Sequence, residues 1–431
     1  LTDKNTREIA FSALVCAADG SQFIEFALDD LLSKQPLSAA NRRLCRELTF
    51  GCVRWRDTLD WLIARRTHSA PVPELAIILR LGLYQLLWLE RIPPHAIVNE
   101  SVNLARGNGF QRQSGFVNAV LRGYVREREE TLRDLEQLKN DDPALGWSHP
   151  SWLVDRWSAA FGDSKCRELL QWNNRPATTY ARANTLRGTA AELEILWDEE
   201  GVRHERFTGN TPNADLFYGI KTPGALPELE SFRAGRFYLQ DPSTGVAPGL
   251  LAVRAGDRVL DFCAAPGGKT TLLAQLMDNQ GEIWAQDHPD RLDLVRENCD
   301  RLGIKCVTRM ISPRDARAQM GDKEFDRVLV DAPCSNTGVL RRRVDLRWRL
   351  SENEIRRLTR LQSNILKSAA NHVSTGGTLV YSTCSLEPDE NSEIVSAFLK
   401  EHGEFRLKEE TTLFPGEYGI DGAYAAAIER R

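Results

Sequence analysis

The sequence predicts an α/β protein, in which a doubly wound parallel sheet follows an all-helical N-terminal bundle and a small α+β subdomain. Three observations carry that expectation. From residue 239 onward, short apolar runs alternate with segments of helical spacing, the pattern of successive βαβ units. Residues 257–271 read DRVLDFCAAPGGKTT: an apolar strand, a glycine turn and the start of a helix. That layout brings backbone N–H groups up to a ligand at a helix N-terminus. Residues 1 to about 130 instead keep apolar side chains three and four positions apart, as amphipathic helices do.

A chain of 431 residues is long enough for about three domains and a large core without covalent staples. The expected boundaries are 1–140 for the helical bundle, 145–238 for the α+β subdomain and 239–431 for the doubly wound domain. A net charge of −4 excludes a protein that binds nucleic acid through bulk positive charge, and leaves local arginine clusters to do so. Nine cysteines with no C-x-x-C pair argue against zinc ribbons and disulfide frameworks, so no metal is expected and a reducing cytoplasm fits. No apolar run reaches membrane-spanning length, and LTDKNTREIA at the start has no secretory core, so no membrane contact is expected.

Taken in order, Ile9, Ala10, Ala13, Leu14 and Ala17 share one helical face, as do Leu44, Leu48, Cys52 and Val53. Pro73 can open a helix, since its missing N–H costs nothing there. Leu75, Ile78, Leu79, Leu83, Leu86 and Leu87 then fill most of the helix circumference, which marks a central buried helix. Further helices follow around Ile97–Leu104 and Phe116–Leu121, and the set reads as a bundle,. Arg42, Arg43, Arg54, Arg56, Arg65, Arg66 and Arg112, with Trp55 and Trp61 nearby, could grip a phosphate backbone, although solvated helix faces explain most single arginines. Residues 131–150 are charged, then proline-bearing, and read as a linker or domain boundary. A strand at Tyr180–Asn184, a helix over 189–199 and short strands to about 238 make the α+β subdomain,. Strands are then expected at 258–263, 282–287, 305–310, 326–331 and 377–383, with the longest helix over 353–373 and a terminal antiparallel hairpin,.

Chemistry-bearing residues cluster at the expected strand ends. Asp287 follows the second strand, where a carboxylate can accept both hydroxyls of a ribose; a surface aspartate beside Pro289 is the bland alternative. Asp315 follows the third strand, where an adenine amino group could be met. Neither G-x-G-x-x-G nor a P-loop is present, so these features point to an adenosine ligand without phosphates, S-adenosylmethionine rather than ATP. Asp331-Ala332-Pro333-Cys334-Ser335 ends the fourth strand and Thr383-Cys384-Ser385 the fifth. Cys16, Cys45, Cys52, Cys166, Cys299 and Cys306 read as core residues and Cys263 as turn packing. Two cysteines at neighbouring strand ends beside a methyl-donor pocket suit carbon methylation of a pyrimidine. A thiolate adding at C6 makes C5 nucleophilic toward an electrophilic methyl group. An acid near N3, for which Asp331 is placed, takes up charge, and a base then removes the C5 proton.

CAAPGGKT, DAPCS and TCS in this order, with Arg182-Ala183-Asn184 and Gln240-Asp241-Pro242-Ser243 upstream, resemble the RNA cytosine-C5 methyltransferases of the NOL1/NOP2/Sun group. Residues 114–122, SGFVNAVLR, resemble the NusB-like RNA-binding domain. The combination implies a Rossmann-like, S-adenosyl-L-methionine-dependent enzyme that methylates 16S ribosomal RNA, either naked or in an assembling small subunit, as a cytoplasmic monomer. The resemblance implies Cys384 as nucleophile and Cys334 as the group assisting product release. It gives Cys263, Ala264, Ala265, Pro266, Gly267, Gly268, Lys269, Asp287, Asp315 and Asp331 to the cofactor, with Asp331 also touching the base. It turns Arg341, Arg342, Arg343 and Trp348 toward the RNA. Against the family pattern, Arg314 stands where glycine is usual, Val344 where proline is usual, and Arg291 follows Asp287 by four positions rather than five. Two other readings stay open: a transfer RNA cytosine-C5 methyltransferase, and a non-catalytic NusB-like RNA-binding or antitermination protein.

Overall fold

The computed structural model describes residues 6–35, 37–221 and 226–431. They form two compact units: Leu1–Pro176 with Leu340–Arg349, and Ala177–Val339 with Leu350–Arg431.

The first unit is helical, as the apolar periodicity requires. Its centre is the helix Pro73–Trp88, which opens on Pro73 and buries Leu75–Leu79, Leu81 and Leu83–Leu87 around its circumference. Thr6–Cys16, Ala39–Arg54, Pro94–Gly107 and Ser114–Arg126 surround it. Gly51 is required here, because a Cβ at that position would lie 2.1 Å from the Tyr84 ring. Two helices escaped the sequence reading, Ile24–Ser33 and Arg56–Ala64; each is short and flanked by polar residues. Residues 131–150, expected as a linker, are largely helical instead. Arg128–Asp141 buries Thr131 and Leu135 on one face, and Asp142 Oδ1 accepts the Leu145 N–H at 3.0 Å to start Pro143–Gly146. Charge density had masked that narrow apolar stripe. The helices Ser151–Phe161 and Asp163–Asn173, grouped by sequence with the strands that follow, fall in the helical unit.

The arginines expected to grip phosphate are mostly engaged with protein. Arg54 is buried, Arg65 pairs with Asp134 at 2.7 Å, Arg66 pairs with Glu127, and Arg56 lies 3.8 Å over the Trp348 ring. Trp55 is in the core. Cys16, expected in the core, is exposed at the end of its helix.

Residues 340–349 belong to this unit although they follow the Cys334 loop in sequence. Val344 joins the helical core, which accounts for an apolar residue there. Asp345 Oδ2 accepts the Ile24 N–H at 2.9 Å, and Trp348 Nε1 donates to Val53 O at 2.8 Å. Arg347 is fully buried. It donates to Arg54 O at 3.3 Å, Ser148 O at 3.0 Å, Asn174 Oδ1 at 2.9 Å and Asn173 O at 3.1 Å. Burial, and the neighbouring Arg54 charge, hold its pKa well below the usual arginine range, so neutral acceptors stabilise the cation in place of a carboxylate.

The second unit holds two sheets. In the smaller, β1 (Thr179–Ala183), β2 (His204–Arg206), β3 (Phe217–Ile220) and β4 (Phe237–Leu239) run in the order β2-β3-β1-β4, all antiparallel. The helix Ala190–Glu199, capped reciprocally by Thr189 and Glu192, covers it through Leu193 and Trp197. In the larger, β5 (Arg258–Phe262), β6 (Glu282–Gln286), β7 (Val307–Ile311), β8 (Phe325–Asp331) and β9 (Val373–Thr383) are parallel. The terminal hairpin β10 (Phe405–Leu413) and β11 (Ala423–Arg430) adds antiparallel at one edge. The order β10-β11-β9-β8-β5-β6-β7 reverses direction between β5 and β8, and ligands bind at such a switch point, beyond the carboxyl ends of the strands. The longest helix, Glu352–Ala370, starts on a Ser351 cap. Among the described residues, no helix is long and apolar enough to cross a membrane.

Arg347→Ala would strip one donor group from four buried acceptors. We expect it to destabilise the helical unit by about 3 kcal/mol, read as a fall in the urea midpoint followed by tryptophan fluorescence.

Candidate active site

The glycine turn is held from several sides. Ala264 N–H donates to Gln286 O at 3.0 Å, and Ala265 N–H to Asp287 Oδ2 at 2.8 Å. Gly267 has φ +100° and caps the helix Gly268–Leu276; a Cβ there would be strained and 3.3 Å from Val295 Cα. At Gly268 a Cβ would sit 3.2 Å from the Gln240 amide and the Tyr238 ring, so glycine lets the turn pack closely against them. The fully buried Arg182 donates to Gly268 O at 2.8 Å, Gln240 Oε1 at 2.6 Å and Thr271 Oγ1 at 2.9 Å. Its burial lowers the pKa to about 9. Arg182 and Gln240 stood in the sequence only as marks of resemblance; their work of anchoring the turn is invisible without the fold.

Asp287 is buried just past β6 and also accepts the His288 N–H at 2.7 Å. It is therefore part of the turn and not a solvated surface aspartate. Arg291, four positions on, still reaches it at 3.3 Å and donates to Ala265 O at 2.9 Å, so the shorter spacing keeps the contact. Asp315 lies in the first turn of the helix Pro313–Met320 rather than in a loop, with Ser312 Oγ donating to its Oδ2 at 2.7 Å.

The region is rich in carboxylates. Burial, opposed by the Thr270 hydrogen bond at 2.6 Å and reinforced by the Asp331 charge, pushes Asp261 up to about 7. Burial, with the charges of Asp287, Asp331 and Asp261, pushes the Cys263 thiol up. Asp261 Oδ1 and Gln286 Oε1 are buried acceptors without a protein donor. Orphaned acceptors and surplus negative charge suit a ligand that brings donors and a positive charge. A sulfonium nucleoside fits this donor set; a polyphosphate does not.

Lys269 connects the turn to the cysteines. Its Nζ meets Asp331 Oδ2 at 2.6 Å. Burial would lower its pKa, but the Asp331 charge and hydrogen bond outweigh that and hold it above the usual lysine range. Asp331 also accepts from Ser382 Oγ at 3.1 Å.

Cys334 and Cys384, fifty positions apart in sequence, have their sulfurs 3.4 Å apart. Cys384 is half-buried and Cys334 buried. Cys384 Sγ donates to Asn336 Oδ1 at 3.0 Å, and Asn336 Nδ2 to Cys334 O at 2.6 Å. Donation to the Cys384 sulfur, then burial, push the Cys334 thiol well above the usual cysteine range. The pair is thus differentiated: Cys334 is held as a thiol while Cys384 is the more accessible sulfur. Asn336 was not singled out in the sequence, since an asparagine two residues past a cysteine carries no signal by itself.

Arg341 and Trp348, expected to face RNA, are used inside the helical unit. Arg341 is buried, 4.0 Å from the Trp172 ring, and Arg343 is exposed. A cavity of about 520 Å³ in that unit is lined by Asp60, Arg80 and Trp348 among others, with Arg80 paired to Asp60 at 2.6 Å.

Known proteins are similar to this chain in sequence and fold. The family model "16S rRNA methyltransferase RsmB/F" matches residues 248–428, the NusB family matches 4–126, and the RsmF/B-like ferredoxin-like domain matches 149–212. The probable ribosomal RNA small subunit methyltransferase B of Bacillus subtilis is 32% identical, over 99% of this chain and 99% of its own length. The Synechocystis protein of the same name is 37% identical over 93% and 90%. Among solved structures, that of PH0851 has a TM-score of 0.80 at 25% identity, covering 100% of this chain and 99% of its own. A methyltransferase homolog from Pyrococcus horikoshii has a TM-score of 0.58 at 26% identity, over 67% and 98%.

The raised Cys334 pKa keeps that residue a thiol at neutral pH, reactive only as pH climbs toward its folded value. Iodoacetamide at neutral pH is therefore expected to label Cys384 before Cys334, by peptide mass spectrometry. Labelling in the reverse order would contradict the assignment of the two sulfurs.

Proposed function

The chain belongs to the 16S rRNA methyltransferase RsmB/F family, and on that premise we propose that it methylates C5 of one cytosine in 16S ribosomal RNA through a covalent adduct to Cys384. The observation that carries this reading is the 3.4 Å approach of two cysteines from separate strand ends, beside a carboxylate-rich glycine turn. Residues 263–269, Asp287, Asp315 and Asp331 would hold S-adenosyl-L-methionine, which would supply the electrophilic methyl group.

The protein's own steps follow from the positions of its side chains. The target cytosine leaves its stack to enter the site. Cys384, as thiolate, adds to C6, and a proton donated from the Lys269–Asp331 pair, bonded at 2.6 Å, neutralises the charge that develops toward N3. C5 is then nucleophilic and acquires the methyl group. Cys334 first gives its own thiol proton to solvent and, as thiolate, takes the C5 proton; the C–H electron pair becomes the C5=C6 bond, the C6–S bond breaks, and Cys384 leaves as thiolate. Two sulfurs are needed because one is covalently committed while the other moves the proton.

The NusB match over residues 4–126 supports a ribosomal rather than a transfer RNA substrate. We place the enzyme in the cytoplasm as a monomer acting on 16S rRNA in an assembling small subunit.

RNA bisulfite sequencing tests the reading. Cys384→Ala should reduce conversion-resistant cytosine by about 10³-fold or more, the scale of losing a catalytic nucleophile; full methylation in that variant rejects the covalent route. Cys334→Ala should instead accumulate a protein–RNA adduct that survives denaturing electrophoresis. A variant that turns over normally without adduct removes Cys334 from the release step.

A further inference from the structure

Each of the two cysteines is followed by a serine, and both serines end on one carboxylate. Glu390, in the short turn Pro388–Glu390, is fully buried. Its Oε1 accepts the Ser335 N–H at 3.0 Å and Gln362 Nε2 at 2.8 Å. Its Oε2 accepts from Ser385 Oγ at 2.5 Å and from Ser335 Oγ. The two hydroxyl oxygens are themselves 3.0 Å apart. Gln362 also donates to Pro333 O at 3.0 Å, and Tyr381 OH donates to Glu390 O at 2.7 Å. On the far side, Asn391 Nδ2 donates to Ser385 O at 2.9 Å and Thr383 Oγ1 to Asn391 Oδ1 at 2.6 Å.

We infer that Glu390 is a positioning residue for the reaction proposed above: by tying Ser335 to Ser385 it sets the separation of the sulfurs of Cys334 and Cys384. The inference rests on the proposed function for its catalytic consequence, and on geometry alone for the clamp itself. A carboxylate suits this place because it offers only acceptors, and all the groups that meet it here are donors. A buried carboxylate is costly, and burial raises the Glu390 pKa; the hydrogen bonds from Ser335, Ser385 and Gln362 oppose that rise. Neither serine can turn away without leaving a buried oxygen short of a donor. The two loops are therefore fixed to one another rather than each to its own strand. Glu390 is fully buried and bonded to the loops themselves, so it acts through them.

Glutamine is the discriminating substitution. In Glu390→Gln the amide oxygen can still accept from Ser335 N and Gln362, but the amide nitrogen faces two hydroxyls that must reverse. The direct readout is the spacing of the sulfurs. Diamide, a two-electron oxidant, takes two electrons and two protons from the Cys334 and Cys384 thiols and leaves one disulfide; the rate is followed by loss of titratable thiols and peptide mapping. The full-length wild type should close this bond fast. Glu390→Gln, and the Ser335→Ala/Ser385→Ala double variant as a second route to the same loss, should close it about tenfold slower, with kcat for methylation down about 10²-fold, the scale of an ångström-sized misplacement. KM for RNA and calorimetric binding of S-adenosyl-L-methionine should hold, as a general folding defect would not allow. Disulfide closure at the wild-type rate in both variants overturns the clamp, even if methylation is lost. If the wild type binds no methyl donor and methylates nothing while disulfide closure still slows in the variants, the functional reading fails and the clamp stands.

Discussion

The register between β8 and β9 is the constraint from which the site follows. Asp331 lies opposite Ser382 in a parallel pair, so the chain leaves both strands at the same height and on the same edge. Each exit carries a cysteine a few residues on. Parallel strands are evenly bonded along their length, and a slip of one residue would turn every side chain of one strand to the opposite face. Val328, Leu329, Val330, Leu379, Val380 and Tyr381 are all fully buried, which makes such a slip prohibitive. The reactive geometry is thus fixed by apolar packing well below it.

Electrostatics at the rim divides into two zones joined by one lysine. Around the glycine turn, carboxylates outnumber cations, and the buried acceptors of Asp261 and Gln286 have no protein donor. Around the cysteines, the carboxylate of Glu390 is met only by neutral donors, so it orders the loops without bringing a second cation near the sulfurs. Lys269 belongs to both zones, rooted in the turn and bonded to the last residue of β8. Anything that shifts the turn is felt at Asp331, and the reverse holds.

Much of this was legible beforehand. The strands 258–263, 282–287 and 326–331, the two cysteines that the structure pairs and the glycine turn announce themselves through local pattern: apolar runs ending in glycine, proline or cysteine. The terminal hairpin is visible for the same reason. What escaped the reading depends on partners distant in sequence. Arg182 is an ordinary strand arginine until it meets Gly268, eighty-six positions later. Glu390 sits in an acidic, proline-bearing stretch that looks like solvent-facing turn and is instead fully buried. Arg341 and Trp348 read as an RNA-facing basic turn because a run of arginines is usually solvated, yet Arg341 is stacked within the helical unit and Arg347 buried beside it. The helix over 128–141 was hidden by charge, because Thr131 and Leu135 give only a two-residue apolar stripe.

The chain passes from one unit to the other three times, after Pro176, after Val339 and after Arg349. That topology has a biosynthetic consequence. Domains released in order by the ribosome ordinarily fold as they emerge, the first one first. Here the helical unit lacks its Val344 plug, its Asp345 cap and its Arg347 until residue 349 has left the exit tunnel. By then four of the five parallel strands have been translated. The first unit to be made is therefore completed by a piece of chain that emerges only after most of the second unit's parallel strands.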